Sequence, residues 1–366
     1  MCFLVFWWLT GKTIMVQNIH ISRDLNADIE RILSGISFDK IFVLTDKNTN
    51  ELCLPYLSEV ERLKNAYSIV IEADDTHKTL EALASVWLTL SQNDASRKSL
   101  LLNLGGGMVT DLGGFAAATF KRGIQYINIP TTLLGAVDAA VGGKTGINFN
   151  GLKNEIGAFA PSHTVVLYSE FFKTLDLQNI LSGYAEMLKH GIISNDEDFK
   201  KLLAFDFAKI DYDYLTKLVG ESVLVKERIV TEDPFEHGIR KALNLGHTVG
   251  HAFESLSFEE DRPVPHGYAV AWGTVCELYL SHKIVGFPYE KLKQVVTFVK
   301  ANYGAFFFTC KHYDRLFELM MHDKKNEAGI INFTLMAEVG EICINQQASK
   351  ELIFEALDFF AEGFGL

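Results

Sequence analysis

Four short apolar runs, Ile41–Asp46, Ser68–Ile71, Ser99–Leu104 and Gln125–Pro130, punctuate the N-terminal part of the chain. Each has the length of a buried strand and is bounded by polar or glycine residues. Between the second and third, Leu80, Leu83, Ala84, Trp87 and Leu88 recur at helical spacing within 79–90. Strand, helix and strand in alternation specify an α/β unit with a largely parallel sheet. The third run passes directly into Gly105-Gly106-Gly107, followed by Asp111, Gly113 and Gly114. Glycines at the end of a strand let backbone N–H groups approach a pyrophosphate, and the next helix N-terminus adds a favourable field. The G-x-G-x-x-G spacing is absent, so the triplet reads either as a nucleotide turn or as a tight structural one.

The run ending at Pro130 leads into Thr131-Thr132, whose hydroxyls suit a ribose or nicotinamide amide, or simply cap the next helix. Asp138 follows in a small-residue stretch. Gly142-Gly143-Lys144-Thr145-Gly146 then places a lysine in a glycine-rich turn, and Lys153-Asn154 adds a second cation. The P-loop spacing is missing, but two lysines beside glycines favour a phosphate site over a solvated surface.

From about residue 175 the character becomes helical. Leu177, Ile180, Leu181, Tyr184, Leu188 and Ile192 keep helical spacing, and further helices are predicted over 214–230, 242–256 and 267–284. A β-like run spans 330–335, and a last helix starts near Ser349. His247 and His251 stand at i, i+4, on one helical face. They either share a metal, or one binds metal while the other meets an anion. Gly246 and Gly250 beside them each cost a helix about 1 kcal/mol relative to alanine, which argues for close packing or close ligand approach. Glu186 and Lys189, at i, i+3, form a surface ion pair, or Glu186 completes a carboxylate-plus-imidazoles metal set.

Composition narrows the classes of function. A formal net charge of −12 without a basic tract argues against a nucleic-acid partner. The five cysteines lack metal spacing and suit a reducing cytoplasm. The apolar segment before Met15 is too short to span a bilayer, and no later stretch qualifies. The expected organisation is therefore a non-core extension over 1–14, an α/β dinucleotide-binding domain over 15–175 and a helical metal- and substrate-binding domain over 176–366.

Taken together, Gly105 to Asp111, Pro130 to Thr145, Gly183-Tyr184-Ala185-Glu186, Glu232 to Glu254 and His266-Gly267 resemble the 3-dehydroquinate synthases of the sugar phosphate cyclase superfamily. The resemblance runs from about residue 40 to about residue 340. It departs at Asp74-Asp75, Thr110, Ala139-Ala140 and Tyr268. It implies a Rossmann-like NAD-binding domain, a helical C-terminal domain, one divalent metal (zinc or cobalt) and a homodimer. The metal ligands it implies are Glu186, His247 and His266, with His251 near the leaving phosphate. Substrate contacts would fall on Arg122, from the neighbouring subunit, and on Asp138, Lys144, Lys153, Asn154, Lys189, Lys226, Arg240, Asn244, His251 and one of Lys324 and Lys325. Lys144, Glu186, Lys189, Asn244 and His251 would carry the catalysis. NAD would lie against Asp46, Asn48, Gly106, Gly107, Met108, Asp111, Thr131, Thr132, Lys144, Lys153, Phe171 and Thr174, with Asp75 and Lys78 at its adenosine half.

The implied reaction converts 3-deoxy-D-arabino-heptulosonate 7-phosphate to 3-dehydroquinate and phosphate. It proceeds by transient oxidation, phosphate elimination, re-reduction and intramolecular aldol closure. A sister cyclase, a metal-dependent polyol dehydrogenase and a non-catalytic nucleotide-binding regulator are the alternative readings.

Overall fold

The computed structural model describes residues 17–150, 152–321 and 331–366. The expected extension over 1–14, and Lys324 and Lys325, lie outside the described residues.

The N-terminal part is built on a parallel six-stranded sheet. Its strands are β1 (Asn18–Ile21), β2 (Ile41–Asp46), β3 (Tyr67–Ile71), β4 (Leu100–Gly105), β5 (Gln125–Pro130) and β8 (Thr164–Leu167). They are arranged β1-β8-β5-β4-β2-β3. All four predicted strands are present. Helices α1 (Leu25–Ser34), α2 (Lys47–Leu52), α3 (Leu80–Gln92) and α4 (Gly107–Thr119) connect them. One core layer packs α3 and α4 on the sheet through Phe42, Leu44, Leu83, Val86, Leu101 and Leu112. The other packs α1 on the opposite face through Ile29, Leu33, Val43, Leu102 and Ile129. From β2 the chain moves outward to β3, then returns to place β4 on the other side of β2. This reversal opens a crevice beyond the carboxyl ends of β2 and β4, the general position for a ligand in an open α/β sheet. Asp46 ends β2 and Gly105 ends β4.

Lys144 does not sit in a turn, as the glycines around it led us to expect. It opens β6 (Lys144–Phe149), which pairs antiparallel with β7 (Leu152–Phe159) in a separate hairpin against α4. Gly146 serves this pairing instead: a side chain there would meet the Ile156 carbonyl at 2.7 Å, and one on its partner Gly157 would strike the Thr145 carbonyl at 2.1 Å.

The C-terminal part holds α5 (Leu177–Ser194), α6 (Asp196–Leu203), α7 (Tyr212–Glu232), α8 (His247–Glu259), α9 (His266–Val285), α10 (Tyr289–Tyr303), α11 (Tyr313–Met321) and α12 (Lys350–Phe364). A two-stranded ribbon, β9 (Phe333–Glu338) and β10 (Glu341–Gln346), inserts before α12. Helix α9 is the axis of this part. It is buried along most of its length and packs against α5, α8, α10, α12 and β9. No helix among the described residues is long and apolar enough to cross a membrane.

The helix expected over 242–256 is interrupted. Residues Ile239–Asn244 form a 3-10 turn, Gly246 adopts φ +80°, and α8 begins at His247. The break has a steric cause. A side chain on Gly246 would lie 2.2 Å from Thr274 Oγ1 on α9, so only glycine permits this approach.

Candidate active site

Helices α3, α5, α7 and α12 are capped by their own Thr79, Asp176, Asp211 and Ser349 side chains. The helices that begin with candidate site residues, α4, α8 and α9, receive no cap from the residue before them. At α4 the N-cap is Gly106, beside the crevice at the sheet. At α8 the cap comes from another helix. The fully buried Glu277 of α9 accepts hydrogen bonds from Gly246 N at 2.7 Å and Val249 N at 3.0 Å. A carboxylate there satisfies orphan donors and meets the positive end of the helix. It also fixes the turn that carries His247.

His247 and His266 are the first residues of α8 and α9. Helix α9 reaches α5 closely because its second residue is glycine: a side chain on Gly267 would overlap the Ser182 carbonyl at 1.8 Å. Ser182 lies one turn before Glu186, so His266 arrives beside that carboxylate. Glu186 is completely buried. Its Oε1 lies 3.3 Å from His247 Nε2 and 3.7 Å from His266 Nε2, and has no hydrogen-bond donor. Its other oxygen accepts from Lys189 Nζ. Burial alone would raise the Glu186 carboxyl, but the Lys189 ammonium outweighs it and holds the group well below the usual carboxylate range.

The outer nitrogens of these two imidazoles are already engaged. His247 Nδ1 is 3.1 Å from the Leu245 carbonyl, and His266 Nδ1 is 3.1 Å from Glu254 Oε2. A carbonyl can only accept, so His247 carries its proton on Nδ1 and turns the Nε2 lone pair inward. Burial opposes a charge on His266, yet the Glu254 carboxylate and then Glu186 outweigh it and push the ring up to about 10. The carboxylates therefore call for a positive charge at this point. His251 joins the cluster, and ring nitrogens of His247, His251 and His266 all lie within 4.8 Å of one another. A buried carboxylate oxygen without a donor, facing the Nε2 atoms of two imidazoles, fits a divalent cation.

Around this centre the two parts of the chain meet through charged pairs. Lys226 Nζ donates to the carbonyl and carboxylate of Asp138, and its burial lowers its pKa. Lys144 pairs with Glu236, whose other oxygen accepts from Asn244 Nδ2 at 2.8 Å. Lys153 pairs with Glu254 at 2.8 Å and stands 3.5 Å from Asp75. The buried Arg240 donates to the carbonyls of Pro234 at 2.6 Å and Gly142 at 3.1 Å. Lys78, also buried, bridges Asp111 and Asn154, each at 2.5 Å. Residues read as adenosine-side thus pair directly with residues read as substrate-side, Lys78 with Asn154 and Asp75 with Lys153.

The remaining candidates are not all brought to the crevice. Asp46 caps α2 through Thr49 N at 2.9 Å, and Asn48 is exposed beside it. Thr132 Oγ1 accepts from Gly135 N at 3.0 Å, so its hydroxyl does cap the following turn. Thr131 is buried at the end of β5, and Met108 is half-buried in the first turn of α4. The ring of Phe171 is in the core between Tyr56 and Tyr168, and the Thr174 hydroxyl donates to the Phe171 carbonyl at 2.7 Å. Arg122 stands apart, exposed in a loop where Lys121, Arg122 and Gly123 have φ of +49°, +67° and +114°.

Sequence reasoning missed Glu236, Glu254 and Glu277. Glu254 carries a signal, since it continues the His247, His251 face by three residues. Glu277 carries a weaker one: an acid in an apolar helix, three turns from His266 and on its face. Glu236 carries none, because it lies in an irregular loop.

Comparison with known proteins places these features in a family. The model described as 3-dehydroquinate synthase N-terminal matches residues 68–182, and the one described as 3-dehydroquinate synthase C-terminal matches 183–326. The 3-dehydroquinate synthase of Parabacteroides distasonis is 59% identical over 350 residues, covering 96% of this chain and 99% of its own. That of Pyrococcus furiosus is 36% identical, covering 89% and 94%. The fold is shared with 2-epi-5-epi-valiolone synthase from Streptomyces hygroscopicus, solved with NAD+ and Zn2+, at a TM-score of 0.84 and 22% identity over 97% and 99% of the chains. It is shared also with a 2-deoxy-scyllo-inosose synthase, solved with carbaglucose-6-phosphate, NAD+ and Co2+, at a TM-score of 0.82 and 20% identity over 93% and 96%.

Proposed function

The chain belongs to the 3-dehydroquinate synthase family, and on that footing we propose that it converts 3-deoxy-D-arabino-heptulosonate 7-phosphate to 3-dehydroquinate and phosphate. The observation that carries the reading is the buried Glu186 oxygen without a donor, facing the inner nitrogens of His247 and His266. Glu186, His247 and His266 would hold one zinc or cobalt ion, and the crevice beyond β2 and β4 would hold NAD. When bound, the metal supplies Lewis acidity at a ring hydroxyl, and NAD+ supplies a reversible hydride acceptor.

The chain's own residues do the rest. Lys189 keeps Glu186 ionised. Gly106 and Gly107 leave the α4 N-terminus open to a pyrophosphate, as its missing side-chain cap supports. Lys144, Lys153, Lys226 and Arg240 offset substrate phosphate and carboxylate charge. Asp138, Asn154 and Asn244 orient them. His251, within the imidazole cluster, holds a proton on a ring nitrogen for the leaving phosphate.

We further assign the division between the NAD-binding and helical domains to the segment ahead of α5, and the protein to the cytoplasm, where its free cysteines stay reduced. We also assign it to a homodimer in which Arg122 serves the partner's site. The 13 residues of α4 rise roughly 20 Å, so Arg122 lies far from the glycine turn of its own chain.

The test is incubation with the heptulosonate phosphate, trace NAD+ and zinc. Phosphate and dehydroquinate should appear in equal amounts, over many turnovers per NAD+. Stoichiometric NADH without phosphate would instead support a polyol dehydrogenase.

A further inference from the structure

Glu254 is 6% exposed and holds two cations of different origin. Its Oε2 faces His266 Nδ1 at 3.1 Å, on the side of the ring away from Glu186. Its Oε1 accepts from Lys153 Nζ at 2.8 Å. Lys153 belongs to β7 of the hairpin, whereas Glu254 and His266 belong to α8 and α9. Lys153 also stands 5.1 Å from the ring centre of Phe258, one turn after Glu254. One carboxylate thus joins a lysine of the N-terminal part to an imidazole of the C-terminal part.

A carboxylate behind a ligating imidazole fixes its tautomer and orientation and raises its basicity. A cation on the same carboxylate withdraws part of that effect. We propose that Glu254 is a positioning residue for the metal ligand His266, and that Lys153 sets the metal affinity through it from the other domain. The inference rests on the metal site proposed above. It adds that events at Lys153, such as the arrival of an anion, are felt at the metal, and by reciprocity the metal is felt at Lys153.

The experiment is a Co2+ titration of the full chain, read by visible absorption and by competition with a chelator, with circular dichroism as the folding control. Wild type should take one Co2+ per chain. Glu254→Ala should weaken binding about 10- to 100-fold. Glu254→Gln, which is isosteric and keeps an acceptor oxygen, should fall between and shift the absorption bands. Lys153→Ala should change the affinity in the Glu254 protein and leave it unchanged in the Glu254→Ala protein. Unaltered Co2+ affinity in a folded Glu254→Gln and Glu254→Ala overturns the positioning role. A Lys153 effect of the same size in both backgrounds, or in neither, overturns the link. A wild-type chain that takes no Co2+ removes the metal site itself, and the inference with it.

Discussion

At the scale of single residues, the centre is defined by which nitrogen each imidazole turns inward. His247 uses its Nδ1 on a backbone carbonyl and His266 on Glu254, so both present Nε2 to Glu186. His251 shares the cluster from the next turn of α8, within 4.8 Å of the other two rings' nitrogens. Different outcomes follow for the two histidines on α8. Replacing His247 by alanine should remove bound metal and turnover together, with the circular dichroism spectrum unchanged. Replacing His251 should leave metal content near one per chain and abolish phosphate release. Metal analysis of the purified variants checks both, and full metal in His247→Ala would dismiss the ligand set. The sequence showed both histidines and the carboxylate, because i, i+4 spacing on a helix needs no tertiary information. It could not show their tautomers, which depend on groups brought by other elements.

At the scale of elements, the site depends on how α8 meets α9 and on the loop before them. Gly246 lets the helices touch, and Glu277 replaces the cap that glycine cannot provide. In Glu277→Gln one amide hydrogen must face a backbone donor, leaving a buried group unsatisfied at a cost of about 1–3 kcal/mol. We expect a melting temperature lower by a few degrees and a weaker metal affinity. An unchanged value of both would show that Glu277 does not hold the turn.

The loop from Asp233 to Arg240 is organised by one carboxylate. Asp233 accepts from His237 N at 3.0 Å, Gly238 N at 2.6 Å and Arg240 N at 3.1 Å. Burial alone would raise the Asp233 carboxyl. The N–H groups of Gly238, His237 and Arg240 outweigh it and lower the carboxyl from its ordinary 3.8. A depressed folded-state pKa contributes stability that is complete above the unfolded value and is lost as pH falls through the folded one. Asp233→Asn should therefore be less stable than wild type at neutral pH, and the gap should narrow as pH falls below about 4. Denaturant melts at pH 7 and pH 3 measure this. A gap as wide at pH 3 as at pH 7 would assign the effect to shape, not charge.

At the scale of the whole molecule, Arg122 tests how two copies of the chain work together. Three consecutive residues at positive φ hold it outward, in a conformation L residues rarely adopt. It also lies at the end of α4 remote from the glycine turn. If it completes the partner's site, Arg122→Ala and Lys153→Ala dimers should each be nearly inactive. Their co-refolded mixture should recover activity, since one site of each mixed dimer is intact. Mixed dimers as inactive as their parents would place Arg122 outside the site.

The amino-acid order alone was enough to specify the parallel sheet, its glycine turn, the helical C-terminal part and the chemical types at the centre. Those properties rest on period, strand length and residue chemistry within a few positions of each other. Only the tertiary structure decided that Lys144 opens a hairpin, that α8 starts at His247, and that Glu236, Glu254 and Glu277 hold the site's cations and helix end. Each of those outcomes depends on contact between segments distant along the chain. A glycine is demanded by a threonine on another helix, and a carboxylate gains its role from the lysine or imidazole that folding sets against it. Local spacing carries no record of such pairs.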